Sequence, residues 1–403
     1  MKYVVVLSDG MAGRPLSELD GKTTLEAAET PVMDELAPVS ELGMASMVPE
    51  GMAPGSDTAN LSVMGYDPRI YYTGRSPLEA LSIGVEMEES DVSFRCNLVT
   101  LSEEDVPYGE RTILDHSSDE IATKDAAELL KALEQGLKQE GFSFYVGTSY
   151  RHLLIWKEGR ILDLTPPHDV LGRKIEEYLP EDPVFREMME KSYEILEHHP
   201  INEERRRQGL HPANSAWFWG AGKKPSLPDF QERTGKRGIM ISAVDLLKGI
   251  AVGAGMDCAF VEGANGGLHT NYEGKAAAAA EALIRQGYDF AYIHVEAPDE
   301  MGHQGQIRDK IQAIENVDQR VLRPLVESLR EAGEDFRLLL LPDHPTPIEV
   351  RTHTGEAVPY LLYDSTHPVK GQEAYCEKTG EATGRNWPEG YRLISHLLQE
   401  ELC

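Results

Sequence analysis

Apolar residues gather along this chain in short unbroken runs, and the strongest is Leu338-Leu339-Leu340-Leu341, closed by Pro342. A run this short, ended by a residue that cannot donate to a ladder, predicts a strand buried on both faces. Runs at 2–7, 238–242 and 288–295 predict three more of the same kind. Between them lie segments of helical composition: 243–252, the alanine-rich 275–286, and 308–332, whose period is that of one long amphipathic helix. Pro31 interrupts similar composition at 23–37, which predicts two short helices there. Residues 49–55 hold two prolines and two glycines. They predict a turn leading into a helix, with Ser56 or Asp57 as its N-cap. Strands alternating with helices predict a doubly wound α/β core, a parallel sheet with helices on both faces.

The rhythm breaks after Glu86. Residues 87–212 carry acidic clusters, a helix near 124–138, strands near 142–145 and 152–156, and the turn-like Thr165-Pro166-Pro167-His168-Asp169. This predicts an α/β domain at 87–212 inserted into a core made of 1–86 and 213–403. No internal repeat interrupts either part.

Charge and length narrow the function. A chain of 403 residues is long enough for two or three domains with a full hydrophobic core. Its net charge of −29 disfavours nucleic acid and anionic membranes, whose phosphates need clustered Lys and Arg. No signal-peptide pattern and no apolar stretch of membrane-spanning length occur, so a soluble, cytoplasmic protein is expected. Cys96, Cys258, Cys376 and Cys403 have no paired spacing, as expected of unligated thiols in a reducing compartment. An acidic protein can still bind an anionic substrate by concentrating metal or basic side chains locally.

The candidate chemistry lies just beyond the strand ends, where ligands bind in such sheets. Asp9 follows the first strand, Asp299 and His303 follow the strand at 288–295, and Asp343-His344 follows the four leucines, with His353 nine residues on. Asp299 and His303 are four apart, so a helical turn aims both the same way. Each of these alone is an ordinary surface charge or a satisfied histidine. Six carboxylate and imidazole groups at one sheet edge are enough for two divalent cations. Beside two cations, Ser56 changes from a helix cap to a nucleophile, because coordination stabilises its alkoxide. Two other motifs fail: Gly220-Ala221-Gly222-Lys223-Lys224-Pro225 lacks Walker spacing, and Gly253-x-Gly255 follows a helix instead of a strand.

The order Asp9, Ser56, Asp299, His303, Asp343, His344, His353 resembles the alkaline phosphatase superfamily. Within it, the full chain is similar to the archaeal-type cofactor-independent phosphoglycerate mutases. Pro54-Gly55-Ser56-Asp57, Gly65-Tyr66-Asp67-Pro68, Tyr72-Thr73-Gly74-Arg75-Ser76-Pro77 and Pro342-Asp343-His344-Pro345-Thr346-Pro347 carry the likeness. The resemblance implies an alkaline-phosphatase-like core with an inserted cap. One metal would be held by Asp299, His303 and His353, the other by Asp9, Asp343, His344 and the nucleophile Ser56. Manganese is the implied ion, with magnesium, zinc or cobalt as alternatives. It also implies substrate contacts from Arg151, Lys223, Lys224, Lys248 and His168, and a proton shuttle, His152, in the cap.

The implied reaction interconverts 3- and 2-phosphoglycerate through a phosphoserine, with the cap excluding water from the intermediate. One departure bears on the substrate: mutases of the superfamily often have His where this chain has Asn60. A bacterial branch with the same Pro-Gly-Ser-Asp motif has been proposed to be a homoserine kinase. That kinase and a simple metal-dependent phosphatase are the alternative expectations, and oligomeric state is left open.

Overall fold

The computed structural model describes residues 1–399, so Cys403 lies outside the described residues. The first segment contributes β1 (Lys2–Ser8) and β2 (Glu41–Ala45). Next come β3 (Val92–Leu101), β4 (Ile113–Asp115), β5 (Phe142–Thr148), β6 (Arg151–Trp156) and β7 (Ser215–Lys223). The remaining strands are β8 (Gly238–Ile241), β9 (Asp257–Cys258), β10 (Phe290–Val295), β11 (Phe336–Leu341), β12 (Val358–Asp364) and β13 (Asn386–Trp387). They fall into two compact units, one of Met1–Tyr72 with residues 226 onward, the other Thr73–Pro225.

The first unit is built on an eight-stranded sheet of order β13-β2-β12-β11-β1-β10-β8-β9. β1, β10 and β11 are buried along nearly their whole lengths, as their uninterrupted apolar runs require. Leu7 pairs with both His294 and Leu341, so these three strands end level. The chain after each therefore emerges at one sheet edge. The sheet is mixed, not all-parallel: β12 runs antiparallel to β11 and to β2. Residues 342–357 contain no helix to make a crossover, and an antiparallel neighbour needs none.

The long helix expected at 308–332 is present but wound unevenly. Ile307–Asn316 and Arg323–Glu331 are α-helical, and Val317–Leu322 between them is a π-helix. Pro324 has no N–H to give to the preceding turn, which favours such a bulge. Asp318 in the bulge is buried, and its carboxylate accepts the Val32 and Met33 N–H groups at 3.1 and 2.8 Å. Those two amides open the helix Pro31–Leu36, so the bulge caps a neighbouring helix. No helix among the described residues is long and apolar enough to cross a membrane.

The second unit has its own five-stranded sheet, with β3 paired to β6 and to β7. Phe94, Cys96 and Leu98 of β3 face a core shared with the helices Thr123–Leu137 and Pro183–Leu196. This unit begins and ends about a dozen residues outside the boundaries expected at 87 and 212. The reason is packing: β7 pairs with β3, and Ser76, on the helix Arg75–Ser82, bonds Ser93 Oγ at 2.9 Å and Gly220 O at 2.6 Å. Neither segment differs from the core in composition, so the sequence could not assign them.

Candidate active site

Asp9, Asp299, Asp343 and His344 leave the level ends of β1, β10 and β11 and are buried. Asp299 and His303 lie on the helix Ala297–His303, one turn apart as expected. Gly10 is what allows β1's exit to approach them. It has φ +58, and a Cβ there would stand 2.5 Å from both Asp299 Oδ1 and Thr346 Oγ1. Ser56 is the first residue of the helix Ser56–Val63, not its cap. Gly55 is the N-cap, and Asp57 Oδ1, not Ser56, accepts a first-turn N–H, that of Thr58 at 2.8 Å. Freed from capping, Ser56 Oγ lies 3.1 Å from His344 Nε2, while Asp57 Oδ2 accepts the Tyr72 hydroxyl at 2.7 Å.

Two groups of ligand atoms form here. Those of Asp9, Asp343 and His344 lie within 4.8 Å of one another, and so do those of Asp299, His344 and His353. His344 stands between the groups, with Nε2 3.5 Å from Asp9 Oδ1 and 3.4 Å from Asp343 Oδ2. His303 joins the second group, 3.2 Å from Asp299 Oδ2 and 2.9 Å from His353 Nε2. Its Nδ1 is 3.0 Å from the Arg351 carbonyl, which can only accept, so Nδ1 carries the proton and Nε2 faces the cluster.

Electrostatics favour a cation at this place. Asp9 Oδ1 is buried with no hydrogen-bond partner, an arrangement that is costly unless a positive charge meets it. Burial, with the Asp343 and Asp299 charges, pushes the Asp9 carboxyl well above its ordinary range. Burial would raise Asp299 too, but hydrogen bonds from His303 and His353 hold it well below. The Asp299 carboxylate in turn raises His303 to about 9, so a proton can take the place a metal would fill. Burial lowers His344, leaving its imidazole neutral and fit to ligate. A third group joins exposed Asp119 and His211 to half-buried Asp115. Its Asp115 oxygens already accept the Ser117 and Asp119 N–H groups.

Sequence reasoning missed the residues that hold this cluster. His294 is fully buried, its Nε2 2.8 Å from Asp9 Oδ2 and its Nδ1 3.1 Å from Ser242 Oγ. Thr346 donates to Asp299 Oδ1. Two buried lysines tie down the backbone here: Lys275 donates to His294 O of β10 at 2.8 Å, and Lys310 to Thr346 O of the loop after β11 at 2.7 Å. A charged lysine inside an alanine-rich helix was the available signal for Lys275. Lys248 is half-buried and donates to Asp245 at 3.2 Å.

The second unit carries the other expected residues, and its sheet separates them. Arg151 is exposed, its guanidinium 5.5 Å from the Tyr150 ring. His152, the expected proton shuttle, is instead buried in the core with its register partner Cys96. Neighbours on a strand point to opposite faces, so Arg151 and His152 cannot serve one surface. His152 Nδ1 accepts the Gly147 N–H at 3.2 Å, and burial lowers the imidazole to about 4. His168 is half-exposed, its ring 5.3 Å from Trp219 and 6.3 Å from His116. Arg95 stacks over Trp219 at 4.4 Å and pairs with Glu79 at 3.0 Å. Arg75, Arg95 and His116 thus join the basic groups around His168, and none was singled out in the sequence. Lys223 and Lys224 are exposed at the end of β7.

Comparison with known proteins places this geometry in a family. Residues 37–202 match the family model for 2,3-bisphosphoglycerate-independent phosphoglycerate mutase. The Methanosarcina barkeri protein of that name is 49% identical, across 99% of this chain and 100% of its own length. A solved Pyrococcus horikoshii structure is 30% identical with a TM-score of 0.81, covering 100% of this chain and 98% of that one. The cofactor-independent phosphoglycerate mutase of Thermoplasma acidophilum is 26% identical, TM-score 0.65, covering 99% of each chain. The chain belongs to the 2,3-bisphosphoglycerate-independent phosphoglycerate mutase family.

Proposed function

We propose that this protein is an enzyme that interconverts 3- and 2-phosphoglycerate without a bisphosphoglycerate primer. The observation that carries the reading is Ser56 Oγ beside His344 Nε2 within a cluster of carboxylates and imidazoles. Full-length relatives named for this activity support it. Asp9, Asp343, His344 and Ser56 would hold one divalent ion, and Asp299, His303 and His353 the other. Mixed oxygen and imidazole ligands suit manganese, with magnesium, zinc or cobalt as substitutes. Bound ions would neutralise the phosphoryl oxygens and favour the serine alkoxide.

The chain's own residues account for the transfer. Ser56 Oγ gives up its proton and forms the bond to phosphorus as the substrate's ester P–O bond breaks, and the freed glycerate oxygen takes up that proton. The other hydroxyl then attacks the phosphoserine, loses its proton and restores Ser56, so no water is consumed. The second unit acts as the substrate domain, with Arg151, Lys223 and Lys224 as its anion-binding groups, and Lys248 is the corresponding basic group of the first unit. His168 replaces His152 as the proton carrier, since burial lowers its pKa and leaves it neutral near pH 7. A cytoplasmic location belongs to the same reading, in keeping with free Cys96, Cys258 and Cys376.

The test is the purified protein with manganese, assayed in parallel on 3-phosphoglycerate alone and on ATP with homoserine. Formation of 2-phosphoglycerate without ATP is expected. Phosphohomoserine in its place would overturn the mutase reading, and inorganic phosphate as the main product would make the protein a phosphatase.

A further inference from the structure

Asn60 is the residue at which the chain departs from the histidine expected there, and the structure gives its side chain three partners. The amide is fully buried. Its Nδ2 donates to Asp343 Oδ2 at 2.8 Å and to the Ser56 carbonyl at 2.8 Å. Its Oδ1 accepts the hydroxyl of buried Tyr292 at 2.6 Å. Two donors and one acceptor are all engaged, on the Ser56 helix, the loop after β11, and β10. A side-chain amide can do this; an imidazole has one atom at each of two positions and cannot fork to two acceptors.

The remaining bonds of Asp343 give this arrangement its meaning. Asp343 Oδ1 accepts the Gly10 N–H at 3.2 Å and the His344 N–H at 3.0 Å. Oδ2 accepts from the Asn60 amide and lies 3.4 Å from His344 Nε2. Asn60 therefore turns Asp343 about its own axis while holding the start of the helix that presents Ser56. Tyr292 sets which end of the amide faces Asp343, because a phenol hydroxyl bonded to Oδ1 leaves the NH2 pointing the other way.

We propose that Asn60 is a positioning residue that sets the nucleophile Ser56 and the ligand Asp343 in a fixed mutual geometry, with Tyr292 locking its orientation. This rests on the reading of Ser56 and Asp343 given above. Asn60 is fully buried, with its amide engaged by Ser56, Asp343 and Tyr292. Its loss should act on metal affinity at one site and on turnover, and leave substrate affinity alone.

The experiment compares wild type, Asn60→Asp and Tyr292→Phe as full chains. Manganese binding is followed by electron paramagnetic resonance, melting temperature without metal is recorded, and kcat and KM are measured at saturating manganese. Asn60→Asp keeps the size and the Tyr292 bond but turns the donor into an acceptor facing Asp343. It should weaken one of two manganese sites by about 10- to 100-fold, as loss of a ligand's hydrogen-bond partner does. Its kcat should fall while KM stays within about twofold. Tyr292→Phe, which removes one hydroxyl, should show the same pattern more mildly and decides the matter if Asn60→Asp does not fold. Unchanged manganese affinity and kcat in Tyr292→Phe together with any folded Asn60 variant would overturn the proposal. So would equal weakening of both sites with a large fall in melting temperature, the mark of a merely structural role. A wild type that binds two ions without isomerising phosphoglycerate overturns the mutase reading alone, since the affinities still decide Asn60. A wild type that binds no manganese overturns both.

Discussion

Ser56 Oγ and His344 Nε2, 288 positions apart in the chain, lie 3.1 Å from each other. That contact stands in place of the helix cap expected of Ser56 from the sequence. Ser56→Ala should thus cost little stability, within about 0.5 kcal/mol, because no capping bond is lost. Transfer and covalent phosphorylation of the protein should both disappear. An alanine variant with a melting curve like wild type and a tenth of its turnover would remove Ser56 from the chemistry.

The unpartnered Asp9 Oδ1 leads to a prediction about metal. Manganese-loaded protein should hold two ions per chain by elemental analysis. Chelation should abolish activity and lower the melting temperature, since ligands that bind only the folded state stabilise it. Asp9→Asn should weaken binding and, by removing a buried charge, narrow the melting difference between loaded and chelated protein. Activity indifferent to chelator would dismiss the two-ion site.

Opposite faces of β6 give Arg151 and His152 different roles. Arg151→Ala should lower kcat/KM for phosphoglycerate by about 10- to 100-fold, the worth of one charge-assisted hydrogen bond, and leave melting unchanged. His152→Gln should alter stability more than kinetics. A His152 variant that melts normally and turns over a hundredfold more slowly would restore the shuttle role.

Burial of His152 also has a pH signature. Its folded pKa of about 4 lies below the ordinary 6.5, so between these values the unfolded chain takes up a proton that the folded chain refuses. The stability it confers is full above pH 6.5 and is lost as pH falls toward 4. The loss is on the order of 3 kcal/mol. Denaturant melts of the second unit across this window should show that slope, and His152→Gln should flatten it. An equal slope in both proteins would assign the acid sensitivity elsewhere.

Much of this molecule is decided by local pattern. The leucine run, the strand at β1 and the Asp299–His303 spacing are short-range features, and burial or helical period acts on them directly. A carboxylate or imidazole just past a buried parallel strand must emerge at the sheet edge, which is why Asp9, Asp299, Asp343 and His344 were legible as a set. What the pattern could not decide is pairing at a distance. β12 runs antiparallel because the loop before it holds no helix. β7 belongs to the second unit because its backbone pairs with β3, and the helix of Arg75 because the Ser76 hydroxyl bonds Ser93 on that strand, with no change of composition to mark the border. His294, Thr346, Asn60 and Tyr292 are ordinary polar and aromatic residues in sequence, and only packing turns their hydrogen bonds toward the cluster. His152 shows the same limit in reverse: an imidazole beside an arginine reads as a site, yet one residue of strand register sends it to the core. Ligand identity is a property of single side chains at strand ends, whereas orientation depends on what the folded chain sets against them.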